Sequence, residues 1–412
     1  MMSHAEPDPA TRPPLWLWLK LGLMSFGGPA AHISLIQNEI CERRKLADYD
    51  TYLRGLNFAV LLPGPEAVQL VTYLGWRISG IPGALLAGAG FVLPGALLII
   101  AATLWISAKG DLPMVQAAFA GVQPVIVAFV IAALFKLARS NLKSKFGLML
   151  AVFALITMML FSGVFPLIIL ISGALGALLL TDGNDYFQLN PQTEQSQASR
   201  KRTSLMVLAT GSGLWLALTA LCVWVLPFNP YLGINIVIST AAMATFGGAY
   251  PAVAFVGEQA VTSWGWLTRS EMIDGLALAE TIPGPLSLYN AYVGTMAASG
   301  HGLWGAVLGG ALAVAFTFLP SFTLVIAFAP YVDWFYSISL VRAALAGVSA
   351  AVVGIIGKLA LVLIYAVCIP DTSPNWVNIA VALVASGAII TGRISPLLLI
   401  LAGAVFGILF LG

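Results

Sequence analysis

Thirteen apolar blocks, most of about twenty residues, follow one another along this chain with little between them. A run of that length is what a helix needs to cross the roughly 30 Å hydrocarbon core of a bilayer. Composition agrees: 9% of the residues are charged, against about 25% in soluble domains. The expected class is an all-α polytopic membrane protein. The net charge of +2 selects no partner, and no nucleic acid is expected.

The blocks fall at 15–40, 55–78, 81–108, 112–138, 146–163 and 165–181. After the polar stretch "TDGNDYFQLNPQTEQSQASRKRT" they resume at 204–227, 232–262, 272–297, 303–330, 343–369, 376–391 and 395–411. No cleavable leader or lipidation motif is expected in the polar start of the chain. Cys41, Cys222 and Cys368 are isolated, so neither a metal site nor a disulfide framework is expected.

Two halves repeat. "FGGPAAHI" begins at Phe26 and "FGGAYPAV" at Phe246; the "PGP" triplets begin at Pro63 and Pro283; both pairs lie 220 apart. "FVLPGALLII" over "TFLPSFTLVI" and "AFAGVQPVIV" over "ALAGVSAAVV" are each shifted by 226. "FPLIILISGAL" aligns with "SPLLLILAGAV". A shift that grows in steps is what duplication followed by small insertions leaves. The expected organisation is a polar tail (1–14), a first transporter repeat (15–181), a cytoplasmic linker (182–203), an extra helix (204–227) and a second repeat (228–412). Six blocks per half plus one unmatched helix turn the second half over, giving an inverted-topology repeat.

Charge fits that arrangement. Residues 1–203 hold 15 of the 19 Lys and Arg. Basic loops of the first half, "CERRKLADYDTYLR" and "KLARSNLKSK", correspond to base-poor loops of the second. By the positive-inside rule the two sets face opposite sides. If every block crosses, those two basic loops land on opposite sides; if the first two blocks of each half dip in and return, both are cytoplasmic. The second picture fits better. Both give a cytoplasmic N-terminus and a C-terminus outside.

The breaks carry the functional reading. Irregular backbone survives at membrane depth only where protein buries it or it lines a wet cavity. "PGP" reads as a stop and restart, with Pro63 ending one half-helix, Gly64 turning the chain and Pro65 starting the next. Gly27, Gly28 and Pro29 read likewise, as do Gly247, Gly248, Pro283, Gly284 and Pro285 in the second half. Each restart offers free N–H groups and a helix-dipole end of about half a charge. Four of them meeting near the midplane make an anion site; the alternative is a set of packing kinks. Asn57, Gln69 and Asn290 can add uncharged contacts.

Ionisable groups within apolar blocks are the coupling or gating candidates: Glu66, Glu280, Arg54, Arg77, Lys136 and Lys358. Glu66 reads as a titrating carboxylate or as a helix-start acid satisfied by the dipole. Arg77, Lys136 and Lys358 lie near block ends, where snorkelling is the plain account, although "FKLA" and "GKLA" set the two lysines in similar places. His32 reads as a satisfied polar residue in a kinked helix.

These motifs ("FGGPAAHI", "LNFAVLLPGPEAVQLVTYLGW", "FVLPGALL", "FGGAYPAVAFV", "GWLTRSEMIDGLALAETIPGP" and "FLPSF") together resemble the chromate ion transporter family in its long, two-halved form. The resemblance covers nearly the whole chain outside the tail and linker. It implies efflux of chromate across the bacterial inner membrane, with sulfate as a structural analogue, and maps the family's motifs onto Phe26–Pro29, Pro63–Pro65, Phe246–Gly248 and Pro283–Pro285. The second FGG continues "AYP", so its helix start comes later. Sulfate or another oxyanion is the alternative substrate. A membrane enzyme is the rival class, but no dinucleotide fingerprint, Cys pair or His cluster supports one. No catalytic residue, metal or cofactor is expected; membrane lipid surrounds the chain, and a homodimer is an open option.

Overall fold

The computed structural model describes residues 13–110, 112–161, 163–179, 197–246, 248–332, 338–370, 373–391 and 394–410. Most of the polar tail, the linker up to residue 196 and Gly247 lie outside the described residues. Among the described residues the chain is helical, with no strand.

The first FGG motif separates α1 (Leu15–Met24) from α2 (Gly28–Gln37), which runs on through a π-turn at Asn38–Arg43. Past that turn the Arg44 guanidinium lies 4.8 Å over the Trp16 ring, and Arg44 Nε donates to Glu39 at 2.9 Å. The start of α1 and the end of α2 are therefore neighbours, and the motif is the tip of a helical hairpin. The second FGG separates α9 (Phe228–Ala244) from α10 (Tyr250–Glu258) in the same way. There the Trp264 and Trp266 rings, beyond the π-turn Gln259–Ser263, pack against Gly233 near the start of α9.

The PGP motifs are also hairpin tips. One lies between α3 (Tyr49–Leu61) and α4 (Glu66–Lys109). Gly55 on the incoming arm has no room for a Cβ because the Tyr73 ring of the outgoing arm fills it. The other lies between α11 (Arg269–Thr281) and α12 (Tyr289–Ala297), entered through a 3-10 turn at Leu286–Leu288; here Gly275 abuts the Tyr292 ring. Equivalent caps start the incoming arms. Asp48 accepts the Thr51 N–H at 2.6 Å, and Thr268, 220 residues on, forms a capping box with Glu271. Such a cap contributes about 1 kcal/mol. The Thr51 hydroxyl and amide hold the Asp48 carboxyl below its ordinary range.

Helix α4 is not one long rod. Ser79 and Gly80 leave helical geometry, Gly80 at φ 64°, and beyond them a Cβ on Gly75 would strike the Gly83 carbonyl. Residues eight apart on a straight helix lie about 12 Å apart along the axis, so the chain reverses here. The arm after Gly80 packs on α1. Helices α12 and α13 (Gly302–Phe328) repeat this hairpin with a 3-10 turn, Ser299–His301, inserted at the bend. That insertion lies between the motifs shifted by 220 and those shifted by 226.

Two long helices, α5 (Pro113–Asn141) and α14 (Ser339–Cys368), pack on each other. Helices α6 (Lys145–Leu160) and α7 (Phe165–Leu179) cover α14 from the second half, whereas α15 (Trp376–Thr391) and α16 (Pro396–Phe410) cover α5 from the first. Small residues permit the close approach: Gly121 lies on Gly403 and Gly407, and Gly347 lies on Ser172 and Gly176. In lipid such contacts are a main source of helix association. The unmatched helix α8 (Gln197–Trp224) leans on α9 and α13 and exposes large apolar side chains, Trp224 at 84%. Stretches in α4, α5, α8, α13 and α14 are long and apolar enough to cross a membrane, and Leu97, Leu170 and Val384 point outward from their bundles. A soluble chain does not present that much apolar surface to water. This is a multi-pass membrane protein.

Candidate functional site

The four tips meet. The Gly64 N–H donates to the Thr245 carbonyl at 2.9 Å, joining the first PGP to the residue before the second FGG. The Gly284 N–H donates to the Ser25 carbonyl at 2.7 Å, joining the second PGP to the residue before the first FGG. Donors and acceptors are each 220 positions apart, so the two bonds are one contact made twice with the halves exchanged. A third layer follows the same rule. A Cβ on Gly64 would lie 2.8 Å from Ser321 Oγ, and one on Gly284 would lie 3.5 Å from Gly95 Cα. Gly95 follows Pro94 in α4 and Ser321 follows Pro320 in α13, at the 226 shift.

Each tip needs its glycine. Gly64 has φ 135° and Gly284 φ 127°, values that side chains strain to adopt. Their N–H groups are occupied by the cross-tip bonds. The donors left over are those of the helix starts. Pro65 stands at the N-cap of α4 and Pro285 at that of the 3-10 turn into α12, one place earlier than a first-turn proline; in α2 and α10 a proline occupies the first turn. None of these four starts carries a side-chain cap among the described residues. Uncapped N–H groups and the positive ends of four short dipoles thus surround one junction.

Polar side chains fix the junction and leave acceptors and donors unspent. Gln69, fully buried, donates through Nε2 to the Pro63 carbonyl at 2.9 Å, and its Oε1 has no partner among the described residues. Asn290 donates to Thr317 Oγ1 at 3.0 Å and leaves Oδ1 unpaired; Ser287 and Ser321 hydroxyls are likewise buried and unpaired. Such groups cost free energy unless something completes them. Glu280, on the last turn of α11, accepts from the Tyr250 hydroxyl at 2.7 Å. Glu66 opens α4 as a half-buried residue and makes no hydrogen bond or ion pair among the described residues.

The other sequence candidates spread outward. Gly27, Gly28 and Gly248 lie at tips with positive φ, and Gly247 is outside the described residues. Asn57 lies on α3 one turn before its end, half-buried. Arg54 is a turn further back, about 10 Å along the axis from the tip. Arg77 is exposed at the far end of the arm, and Lys136 is exposed on α5; neither is at the junction. Lys358 is not the counterpart of Lys136. The 226 shift that brings Gly121 over Gly347 sets Lys358 over Ala132, and Lys358 instead pairs with Glu258 on α10. His32 is not fully satisfied: its ring meets the Ser25 backbone, but Nε2 is buried without a partner among the described residues. Sequence reading missed Ser25, Thr245, Gly95, Ser321 and Tyr250. The first four were within reach, since "SFGG"/"TFGG" extend the repeat by one residue, and Gly95 and Ser321 already lie inside the aligned "FVLPGALLII" and "TFLPSFTLVI".

Broken helices whose tips meet inside a membrane bundle define a transporter architecture. The chain belongs to the chromate transporter family: the family model matches twice, over residues 14–177 and 232–408. A chromate transport protein of Pseudomonas aeruginosa is 30% identical over 363 residues, 86% of this chain and 82% of its own length. A chromate transport protein of Cupriavidus metallidurans is 28% identical over 363 residues, covering 87% and 84%. The uncharacterized transporter YwrA of Bacillus subtilis is 30% identical over 122 residues, 30% of this chain but 68% of its own. No solved structure matches the chain.

Proposed function

We propose that the protein exports chromate, a tetrahedral oxyanion with two charges, from the cytoplasm across the bacterial inner membrane. The observation that carries this reading is the reciprocal bonding of the four tips, Gly64 to Thr245 and Gly284 to Ser25, which gathers four uncapped helix starts. Fixed N–H groups and dipole ends hold an anion without a matching cation. Gln69 and Asn290 orient the tips, while the Ser287 and Ser321 hydroxyls donate to the anion's oxygens.

The two halves form an inverted repeat. The family model's two matches leave α8 between them, which supports its role as the helix that turns the second half over. The hairpins are re-entrant, the N-terminus is cytoplasmic and the C-terminus is periplasmic. Reciprocal tips also supply what alternating access needs, two equivalent sets of contacts that open in turn. Direction follows from voltage. Two negative charges leaving a cell at 100 mV, negative inside, gain roughly 4.6 kcal/mol, about a 10³-fold concentration ratio. Glu66 and Glu280 are the gating or proton-coupling groups, the acids nearest the junction.

Everted vesicles, whose cytoplasmic face is outward, test the reading as uptake of labelled chromate under an imposed potential. Wild type is expected to accumulate chromate and the Pro65→Ala/Pro285→Ala double variant to lose most of it. Sulfate fits the same donors, and its strength as a competitor measures how far the site reads shape and charge alone. No accumulation of either anion by wild type would overturn the proposal.

A further inference from the structure

A second polar constellation stands away from the tips. Glu258, the last residue of α10, forms an ion pair with Lys358 in the middle of α14, the two side chains 17% and 14% exposed. The pair lines a cavity of about 160 Å³ with Arg269, Thr262 and Met272. At about 30 Å³ per water, that volume takes about five waters, or one small oxyanion with part of its hydration. Arg269 and Thr262 are exposed and form the rim, and Arg269 makes no ion pair or hydrogen bond among the described residues. Arg269 also lines a neighbouring cleft of about 580 Å³ with Gln123, Ser270 and Tyr365.

One helix face joins this cavity to the junction. Tyr250, Ala254 and Glu258 recur every fourth residue on α10, and so share a side of it. Tyr250 holds Glu280 beside the second PGP tip, and the eight steps from Tyr250 to Glu258 span about 12 Å of axis. The constellation is also one-sided. The repeat shifts set Asn38 where Glu258 stands, Tyr49 where Arg269 stands and Ala132 where Lys358 stands, so the first half forms the same helices without these charges. The fold does not require the pair.

We propose that this cavity is a second, outward-facing subsite for a tetrahedral oxyanion. Lys358 exchanges the Glu258 carboxylate for the departing anion, and Arg269 completes the contact at the rim. The inference takes its ligand class and direction from the function proposed above. The physical reason is compensation. A largely buried lysine left without a counter-charge is costly, so Glu258 occupies it between turnovers. A dianion at the same distance attracts it about twice as strongly as one carboxylate.

Binding of chromate and of sulfate to the purified full-length protein, with vesicle kinetics alongside, tests this. Lys358→Gln and Arg269→Gln are each expected to weaken binding about tenfold, the scale of one lost charge-assisted contact, and Lys358→Arg to restore it. Glu258→Gln is expected to tighten binding and slow turnover, because the exchange partner is gone. A structural pair behaves otherwise. Glu258→Gln and Lys358→Gln would then lower the melting temperature alike, the Glu258→Lys/Lys358→Glu exchange would restore it, and affinity would not move; that pattern overturns the subsite. Wild-type vesicles that carry chromate with unchanged kinetics in all three Gln variants also overturn it, leaving the transport reading intact. Vesicles that carry nothing, while purified protein binds more tightly in Glu258→Gln, would overturn transport and keep the subsite.

Discussion

Gly64 carries two constraints at once. Its φ of 135° suits no side chain, and a Cβ there would press on Gln69 Nε2 and Ser321 Oγ, both at 2.8 Å. Backbone strain of that kind costs about 1–3 kcal/mol, and overpacking adds about as much. Gly64→Ala is therefore expected to lower the melting temperature of the purified protein and to reduce chromate accumulation. The equivalent Gly284→Ala meets Leu288, whose Cδ1 would lie 2.7 Å away, and a flexible leucine end yields more easily. The Gly64 variant should be the worse of the two; equal melting temperatures would mean that the Ser321 and Gln69 contacts are soft. Gln69 itself was readable only as a polar residue near a break. That its amide spans the tip depends on a turn whose path no local pattern encodes.

At the scale of elements, the repeated unit is a helical hairpin with a broken tip. The arms of the first PGP hairpin face each other at Gly55 and Tyr73, and those of the second at Gly275 and Tyr292. If these hairpins dip into the membrane and return, Tyr49 and Arg77, at the open ends of the first one, share a face. Single cysteines at those positions in a Cys-free background should both react with a membrane-impermeant thiol reagent from the cytoplasmic side. Reaction from opposite sides would mean that the segment crosses. Charge gave the hairpin reading as an expectation, since the basic loops at 41–54 and 136–145 can share one side of the membrane only if the first two blocks dip in and return. The reversal at Ser79–Gly80 was legible only as a gap between apolar blocks.

At the scale of the whole molecule, the halves are interleaved. Helices α6 and α7 cover α14, α15 and α16 cover α5, and the tips bond across the same divide. Neither half buries its long helix alone. Chains 1–203 and 204–412, co-expressed, are expected to assemble and restore accumulation, while either alone should be degraded or aggregate. A stable, monodisperse first half would show that the exchange of hairpins contributes little.

The sequence by itself determined the class, the recurring motifs and the places of the FGG and PGP breaks, because apolar length, motif spacing and proline–glycine chemistry are local properties that survive in one dimension. What only the tertiary structure decided is which break meets which. Gly64 finds Thr245 and Gly284 finds Ser25 across more than 180 residues of chain, and Lys358 finds Glu258 rather than any counterpart of Lys136. Those pairings arise when two halves close on each other. Closure depends on the summed packing of α5 against α14 and of the exchanged hairpins, which no single stretch of the chain contains.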